Sequence, residues 1–311
     1  MKRVLSIDGG GIRGIIPAMT LAELERITNR KTSSLFDLIA GTSTGGILAC
    51  ALAAPNPMPA REIIGLYLQE GPEIFERSGI GRLGTGFGLF GPKYTGKQLQ
   101  ASLREYLGHA RLTDCAPEVL VTAYDIERRQ PHFFKSHKAR KHEDRDCSLV
   151  EVAAATASAP TYFPPCKVDS GGYSAALIDG GVYATNPAMC ALVEAMTLWP
   201  GEEIMLVSLG TGELTRPMPY EDAKGWGLAK WATRILDAVF DGASDTVSYQ
   251  CAQILGDRFT RIQCSLTVAS DDMDDASEEN LRLLQLQAEQ LISANRSALG
   301  ALGLKLFKGD K

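Results

Sequence analysis

Histidine is scarce in this chain of 311 residues: four occur, His109, His132, His137 and His142, and none follows position 142. A catalytic order in which the histidine base comes last therefore has nothing to draw on in the second half of the chain. Cysteine is present but unpatterned. The seven cysteines, at 50, 115, 147, 166, 190, 251 and 264, are odd in number and form no C-x-x-C, so neither a disulfide framework nor a zinc site is suggested, and a reducing compartment is the simplest reading. Long apolar runs are missing too. No uncharged stretch reaches the ~18 residues of a membrane span, and the start, Met1-Lys2-Arg3-Val4-Leu5-Ser6-Ile7-Asp8, is too short for a signal-peptide core. There is no basic excess: 32 Lys and Arg stand against 37 Asp and Glu, a net charge of -5, which speaks against a general nucleic-acid binder. With 45% hydrophobic and 22% charged residues, the composition is that of a soluble globular protein and not of a disordered, fibrous or coiled-coil chain. No repeat and no Pro/Ser-rich linker divides it, so one domain is expected over 1–311.

Glycine, by contrast, is abundant, with 31 residues against an average nearer ~7%. Much of it gathers where apolar runs stop. Arg3 to Ile7 reads as a buried strand that ends in Asp8-Gly9-Gly10-Gly11, and helical spacing follows from Ile15 to Ile27. Phe36 to Ala40 is a second strand, broken at Gly41-Thr42-Ser43-Thr44-Gly45-Gly46 before the small apolar helix Ile47 to Ala54. Val119 to Ile126 and Pro131 to Lys135 read as strands joined by a charged turn, and Val152 to Ser158 as helical. Ala175 to Ile178 leads into Asp179-Gly180-Gly181, followed by a helix capped by Asn186 with Pro187 at its first position. Ile204 to Leu209 is another buried strand, and an amphipathic helix runs from about Glu278 to Leu299. Strands alternating with helices imply an α/β fold, with a mostly parallel central sheet and helices on both faces.

Three of the turns carry chemistry. Gly41-Thr42-Ser43-Thr44-Gly45 fits the G-x-S-x-G nucleophile elbow in the required strand, turn, helix context. Glycines two residues either side of the serine remove the Cβ atoms that a tight, strained turn would bring into collision. The bland alternative is an ordinary strand-to-helix turn of small residues. Gly9-Gly10-Gly11-Ile12-Arg13-Gly14 contains G-x-G-x-x-G directly after the first strand, so a dinucleotide fingerprint must be weighed. That fingerprint wants an acidic residue at the end of the second strand, whereas Asp37 stands at the beginning of it and Ser43 occupies the turn. The other readings are a nest of N–H groups for an oxyanion and a plain glycine turn. Asp179-Gly180-Gly181 ends a third strand, at the same sheet edge as the other two if all run parallel. A serine with no histidine available can use a carboxylate as its base, and Ser43 with Asp179 is the dyad these residues point to.

These motifs resemble the patatin-like phospholipases, which pair a G-G-G-x-[KR]-G oxyanion turn, a G-x-S-x-G serine and a D-G-[GA] aspartate. Ala157-Ser158-Ala159-Pro160-Thr161-Tyr162-Phe163-Pro164, Asn186-Pro187 and Ser208-Leu209-Gly210-Thr211-Gly212 strengthen the likeness. It spans about residues 3–213; the part from about 214 to 311 resembles the family's variable helical end. The resemblance implies a three-layer fold and a bacterial-type lipid acyl hydrolase of the phospholipase A or lysophospholipase kind. Ser43 would be the nucleophile and Asp179 the base. Gly9, Gly10, Gly11, Ile12, Arg13 and Gly14 would form the oxyanion turn, and Gly41 and Gly45 the elbow. No metal or cofactor is implied. The implied substrate is membrane phospholipid at the bilayer surface, reached by a cytoplasmic protein through peripheral association. Some similar phospholipases are antiphage effectors switched on when a cyclic nucleotide binds and orders an oligomer, which makes a cyclic-nucleotide regulator and a homo-oligomer a second expectation. A nucleotide-binding module using Gly9 to Gly14 is the rival from another class.

Three softer signals remain. Gly91-Pro92-Lys93-Tyr94-Thr95-Gly96-Lys97-Gln98 nearly fits a P-loop, but Gln98 replaces the magnesium-binding hydroxyl and no clear strand precedes it. Residues 79–96 place Ile80, Leu83, Phe87, Leu89 and Phe90 on glycine-rich backbone, as a lid or a mobile surface loop would. The basic run from Arg128 to Arg145 reads as a solvated hairpin edge before it reads as a headgroup-facing patch.

Overall fold

The N-terminal apolar run forms the strand β1, Lys2–Ile7, whose last four residues are fully enclosed because strands flank it on both sides. The computed structural model describes residues 1–76, 91–213, 217–227, 230–231 and 235–307. The further strands are β2 (Leu38–Gly41), β3 (Glu118–Asp125), β4 (Gln130–Lys135), β5 (Cys166–Ser170), β6 (Tyr173–Asp179), β7 (Ile204–Leu209) and β8 (Phe259–Ile262). The longer helices are α1 (Ile15–Thr28), α2 (Thr44–Ala53), α3 (Ala60–Ile74), α4 (Lys97–Leu107), α5 (Leu149–Thr156), α6 (Ala188–Leu198), α7 (Ile235–Leu255), α8 (Glu278–Ala294) and α9 (Arg296–Phe307). The sheet runs β5-β6-β3-β2-β1-β7-β8, with β4 paired to β3.

Successive side chains of a strand face opposite sides of the sheet, and the apolar residues here divide accordingly. Val4, Leu38, Ala40, Leu120, Ile204 and Leu206 pack with residues of α6 and α7. Leu5, Ile7, Ile39, Val119, Val121 and Val207 face the other way, into a larger core with α1, α2 and α5. Helices on both faces of a mainly parallel sheet make the three layers expected from the sequence. The C-terminal amphipathic segment joins this core: Leu281, Leu284, Ala288 and Leu291 of α8 are buried, as are Leu299, Leu302 and Leu306 of α9. It is two helices, not one. The chain breaks at Asn295, whose side chain donates to the Leu291 carbonyl at 2.9 Å. Asn186 also stands one residue further out than expected. Pro187 occupies the cap position of α6, yet Asn186 still caps by accepting the Ala188 N–H at 3.0 Å.

The sheet is less uniform than the alternation of elements suggests. β1, β2, β3, β7 and β8 are parallel, whereas β4, β5 and β6 pair antiparallel. The expectation that Asp179 ends a parallel strand is therefore corrected: β6 runs antiparallel to β3. The aspartate still arrives at the carboxyl edge because a strand has only two sides to pair. β4 takes Leu120 to Asp125 on one side, and on the other β2 takes Glu118 to Val121 while β6 takes Ala123 to Asp125. β6 thus runs back towards the end of β2 and stops, at Asp179, close to where Gly41 opens the serine turn.

Candidate active site

Ser43 sits between β2 and α2 with φ 54° and ψ -125°, a backbone region that costs a non-glycine residue on the order of 1–3 kcal/mol. The surroundings force it there. A Cβ on Gly41 would strike the Gly45 carbonyl, and one on Gly45 would strike the carbonyls of Ile7 and Asp8. Thr42 Oγ1 donates to the Ala184 carbonyl at 2.6 Å and lies 2.7 Å from Thr122 Oγ1. The Ser43 N–H donates to Thr156 Oγ1 at 2.8 Å, and Thr44 Oγ1 bonds the buried Tyr67 hydroxyl. Tethers on four sides hold the serine where the positive end of α2 begins.

The Ser43 hydroxyl lies close enough to the Asp179 carboxylate to favour its ionised form. Asp179 is 5% exposed, and burial pushes its carboxyl up to about 6, against the opposing pull of the Ser43 hydroxyl and of the Gly181 N–H, which donates to it at 2.7 Å. The Asp179 N–H donates to the Ser158 carbonyl at 3.0 Å. Gly180 must be glycine because an added Cβ would lie 2.6 Å from Thr122 Cβ. Such a carboxylate is ionised at neutral pH yet basic enough to take a hydroxyl proton.

The glycine turn lies beside this pair: a Cβ built on Gly9 would be 3.2 Å from Ser43 Cβ. The structure narrows the six-residue oxyanion expectation by committing several of its N–H groups elsewhere. Gly9 donates to the Thr185 carbonyl at 2.9 Å, Ile12 to the Met273 carbonyl at 2.9 Å and Arg13 to the Gly10 carbonyl at 3.2 Å. Ile12 therefore cannot serve as a donor to substrate. Gly14 has a packing role, since a Cβ there would strike Thr44 Oγ1 and the Tyr67 hydroxyl. The N–H groups of Gly10, Gly11 and Thr44 have no hydrogen-bond partner among the described residues. Gly11 has φ +58°, and its added Cβ would approach Met273 Cβ at 2.9 Å and collide with the Met273 carbonyl. Gly11→Ala keeps the N–H but must shift it to clear the Met273 carbonyl; if that group is an oxyanion donor, its displacement is expected to lower kcat on a p-nitrophenyl ester by ~10²–10³ with KM little changed, and steady-state kinetics on the folded variant check this.

The histidines make their contacts elsewhere. His109 and His142 are exposed. His132 stacks on Tyr173 with Nδ1 3.0 Å from its hydroxyl, and His137 pairs with Glu194 at 3.1 Å. Those two are half-buried, not on the surface as their polar surroundings suggest. The basic run is largely paired within the fold: Arg128 with Asp125 at 2.7 Å, Arg140 with Glu118 and Lys135 with Glu194. Most of the glycine-rich segment 79–96 lies outside the described residues. Its end is anchored, with the Tyr94 hydroxyl donating to Asp274 at 2.8 Å and its ring packed between Phe75 and Phe163. Lys97 opens α4 as an ordinary first-turn residue behind Gly96, so the P-loop likeness has no structural counterpart. Sequence reasoning missed Thr122, Thr156, Thr185 and Met273, which hold the three turns together. Their only local signal is that Thr156 and Thr185 flank recognised motifs.

Comparison with known proteins bears on this arrangement. The family described as patatin-like phospholipase matches residues 5–192. Patatin-15 and Patatin-B1 of Solanum tuberosum are each 34% identical over 331 aligned positions, covering 94% of this chain and 84% of the relative. Among solved structures, VipD from Legionella pneumophila is similar at 13% identity with a TM-score of 0.43, covering 94% of this chain and 67% of that one.

Proposed function

Since the chain belongs to the patatin-like phospholipase family, and is by that membership a lipid acyl hydrolase, we propose that it cleaves fatty acyl esters of membrane phospholipids by a Ser43–Asp179 dyad. The observation that carries this reading is a strained Ser43 whose hydroxyl acts directly on a buried carboxylate raised to about 6. Asp179 accepts the Ser43 Oγ proton as Oγ attacks the ester carbonyl. The tetrahedral oxyanion is stabilised by the N–H groups of Gly10 and Gly11, with that of Thr44 at the α2 N-terminus. Collapse expels the alcohol, which takes the proton from Asp179 and leaves an acyl-Ser43 ester. Water then repeats the sequence: Asp179 accepts its proton, the acyl–serine bond breaks, and the proton returns to Oγ.

The glycine turn favours this over a pyrophosphate cradle. A diphosphate needs a run of donors, and Gly9 and Ile12 have already given theirs to Thr185 and Met273. Contact with the bilayer is peripheral in this reading; no helix among the described residues is long and apolar enough to cross a membrane. Fatty acid release from phospholipid in mixed micelles, without added metal or cofactor, tests the proposal. Undiminished release after chelation and dialysis is expected, and no release from phospholipid or lysophospholipid would overturn it.

A further inference from the structure

Ser208-Leu209-Gly210-Thr211-Gly212 supplies neither nucleophile nor base, yet it meets the glycine turn at its centre. β1 lies between β2 and β7, so the serine turn and the β7 turn flank the glycine turn from opposite sides. The β1–β7 ladder ends where the Asp8 N–H donates to the Leu209 carbonyl at 3.0 Å. Beyond it a side chain continues the contact: Thr211, 3% exposed, donates from Oγ1 to the Gly9 carbonyl at 2.7 Å. Glycines admit it there. A Cβ on Gly10 would lie 2.7 Å from Thr211 Cβ, and one on Gly210 would run into the Gln263 side-chain amide. Gly212 has φ +98°, and its N–H is held by Gln263 Oε1 at 2.9 Å, which also accepts the Cys264 N–H at 3.1 Å. Thr211 is thus fixed from the β8 side, away from the serine turn.

A trans peptide carries its C=O and its N–H on opposite edges of one rigid plane. The bond from Thr211 to the Gly9 carbonyl therefore also directs the Gly10 N–H, which leaves the other edge of that peptide, away from β7 and towards the β2 side where Ser43 stands. The next peptide repeats the arrangement. The Gly10 carbonyl accepts the Arg13 N–H and the Arg13 Nε–H, both at 3.2 Å, and the Gly11 N–H leaves the opposite edge. Both N–H groups are without a partner among the described residues, although Gly10 is buried. An unpaired buried donor costs stability unless a ligand completes it. A carbonyl that already accepts a hydrogen bond also polarises its own peptide, which makes the N–H on the far edge the stronger donor.

We propose that Thr211 is a positioning residue for the reaction: by holding the Gly9 carbonyl, its hydroxyl aims the Gly10 N–H at the oxyanion that forms on the carbon attacked by Ser43. The proposal rests on the hydrolase reading above and adds the side chain that orients one of its donors. Thr211 acts through the Gly9–Gly10 peptide and touches neither the ester nor the dyad. Its effect therefore falls on the tetrahedral intermediate and not on the bound substrate.

The test compares Thr211→Val, which removes the hydroxyl and keeps the branched shape, with Thr211→Ser, which keeps the hydroxyl and loses the methyl. On p-nitrophenyl butyrate, Thr211→Val is expected to lower kcat by about 10- to 100-fold, short of the ~10²–10³ of a donor removed outright. KM should be unchanged, and Thr211→Ser should stay near the wild-type kcat. A trifluoromethyl ketone, to which Ser43 Oγ adds to give a hemiketal alkoxide, should lose affinity in Thr211→Val by the same factor as kcat/KM. The rise of kcat/KM through about pH 6 should stay in place, because Asp179 is untouched. Equal kcat in the Val and Ser variants, or a raised KM at unchanged kcat, would overturn the proposal, since either outcome makes Thr211 a packing or binding residue. Should Thr211→Val not fold, Thr211→Cys replaces it, because a thiol is a weaker donor. A lowered kcat with ketone affinity falling in step is then expected, and a kcat equal to that of Thr211→Ser would overturn the role. Wild-type protein that hydrolyses no p-nitrophenyl butyrate is the distinct result that removes the hydrolase reading itself.

Discussion

Ser43→Ala should lower kcat/KM on p-nitrophenyl butyrate by ~10⁴–10⁶, the range seen when a covalent nucleophile is removed and only the oxyanion donors and binding remain. The fold should survive. Ser43 is held by its backbone, through the N–H to Thr156 Oγ1 at 2.8 Å and the tethers of Thr42 and Thr44. Its hydroxyl adds no tether to the fold among the described residues beyond its action on Asp179. The positive φ of 54° also opposes alanine no more than it opposes serine. Circular dichroism and a thermal melt close to wild type, with the activity gone, are the expected pair of results. A variant that keeps a tenth of its activity would exclude covalent catalysis at this residue.

Asp179→Asn is expected to cost ~10⁴ in kcat, because an amide keeps the shape and cannot accept the proton. Two further readouts separate a base from a merely structural group. With its carboxyl at about 6, the wild-type kcat/KM on a neutral ester should climb as pH rises through about 6 and then level, as Asp179 loses its proton. The residual activity of the variant should lack that limb. Stability should move the other way. The folded-state value stands above the ~3.9 of an unfolded aspartate, so the protonated carboxyl contributes stability below about pH 4, and that contribution is lost as pH rises through about 6. At pH 7 the buried carboxylate opposes folding, and asparagine removes that burden while its oxygen still accepts the Gly181 N–H. The variant should melt at or above the wild-type temperature at pH 7. A strongly destabilised variant would mean that Asp179 is there to hold β6 and not to move a proton.

The three glycine turns were legible because each is local: a strand that stops at glycines announces itself within a few residues, and Gly41, Ser43, Asp179 and Gly180 all belong to such stretches. What could not be read is what strand pairing decides. The direction of β6 depends on how β2 and β4 divide the two sides of β3, and no residue near Asp179 encodes it. The occupation of the Gly9 and Ile12 N–H groups depends on Thr185 and Met273, distant in sequence and carrying no signature of their own. β5 and β8 escaped for a different reason. Cys166–Ser170 and Phe259–Ile262 are short, lie at the two ends of the sheet and carry only partial apolar alternation. The histidines were misjudged in part by the same logic: His132 lies in a polar stretch, yet pairing with β3 turns it against Tyr173.

Every step above depends on one atom, Ser43 Oγ, being an activated nucleophile. A fluorophosphonate probe reacts with such a serine and with little else, so labelling the intact protein, digesting it and mapping the adduct by mass spectrometry addresses the matter directly. A single adduct on Ser43, abolished by Ser43→Ala and strongly slowed by Asp179→Asn, is the predicted result. Ester hydrolysis that persists while Ser43 stays unmodified, or an adduct that maps to another residue, would contradict it.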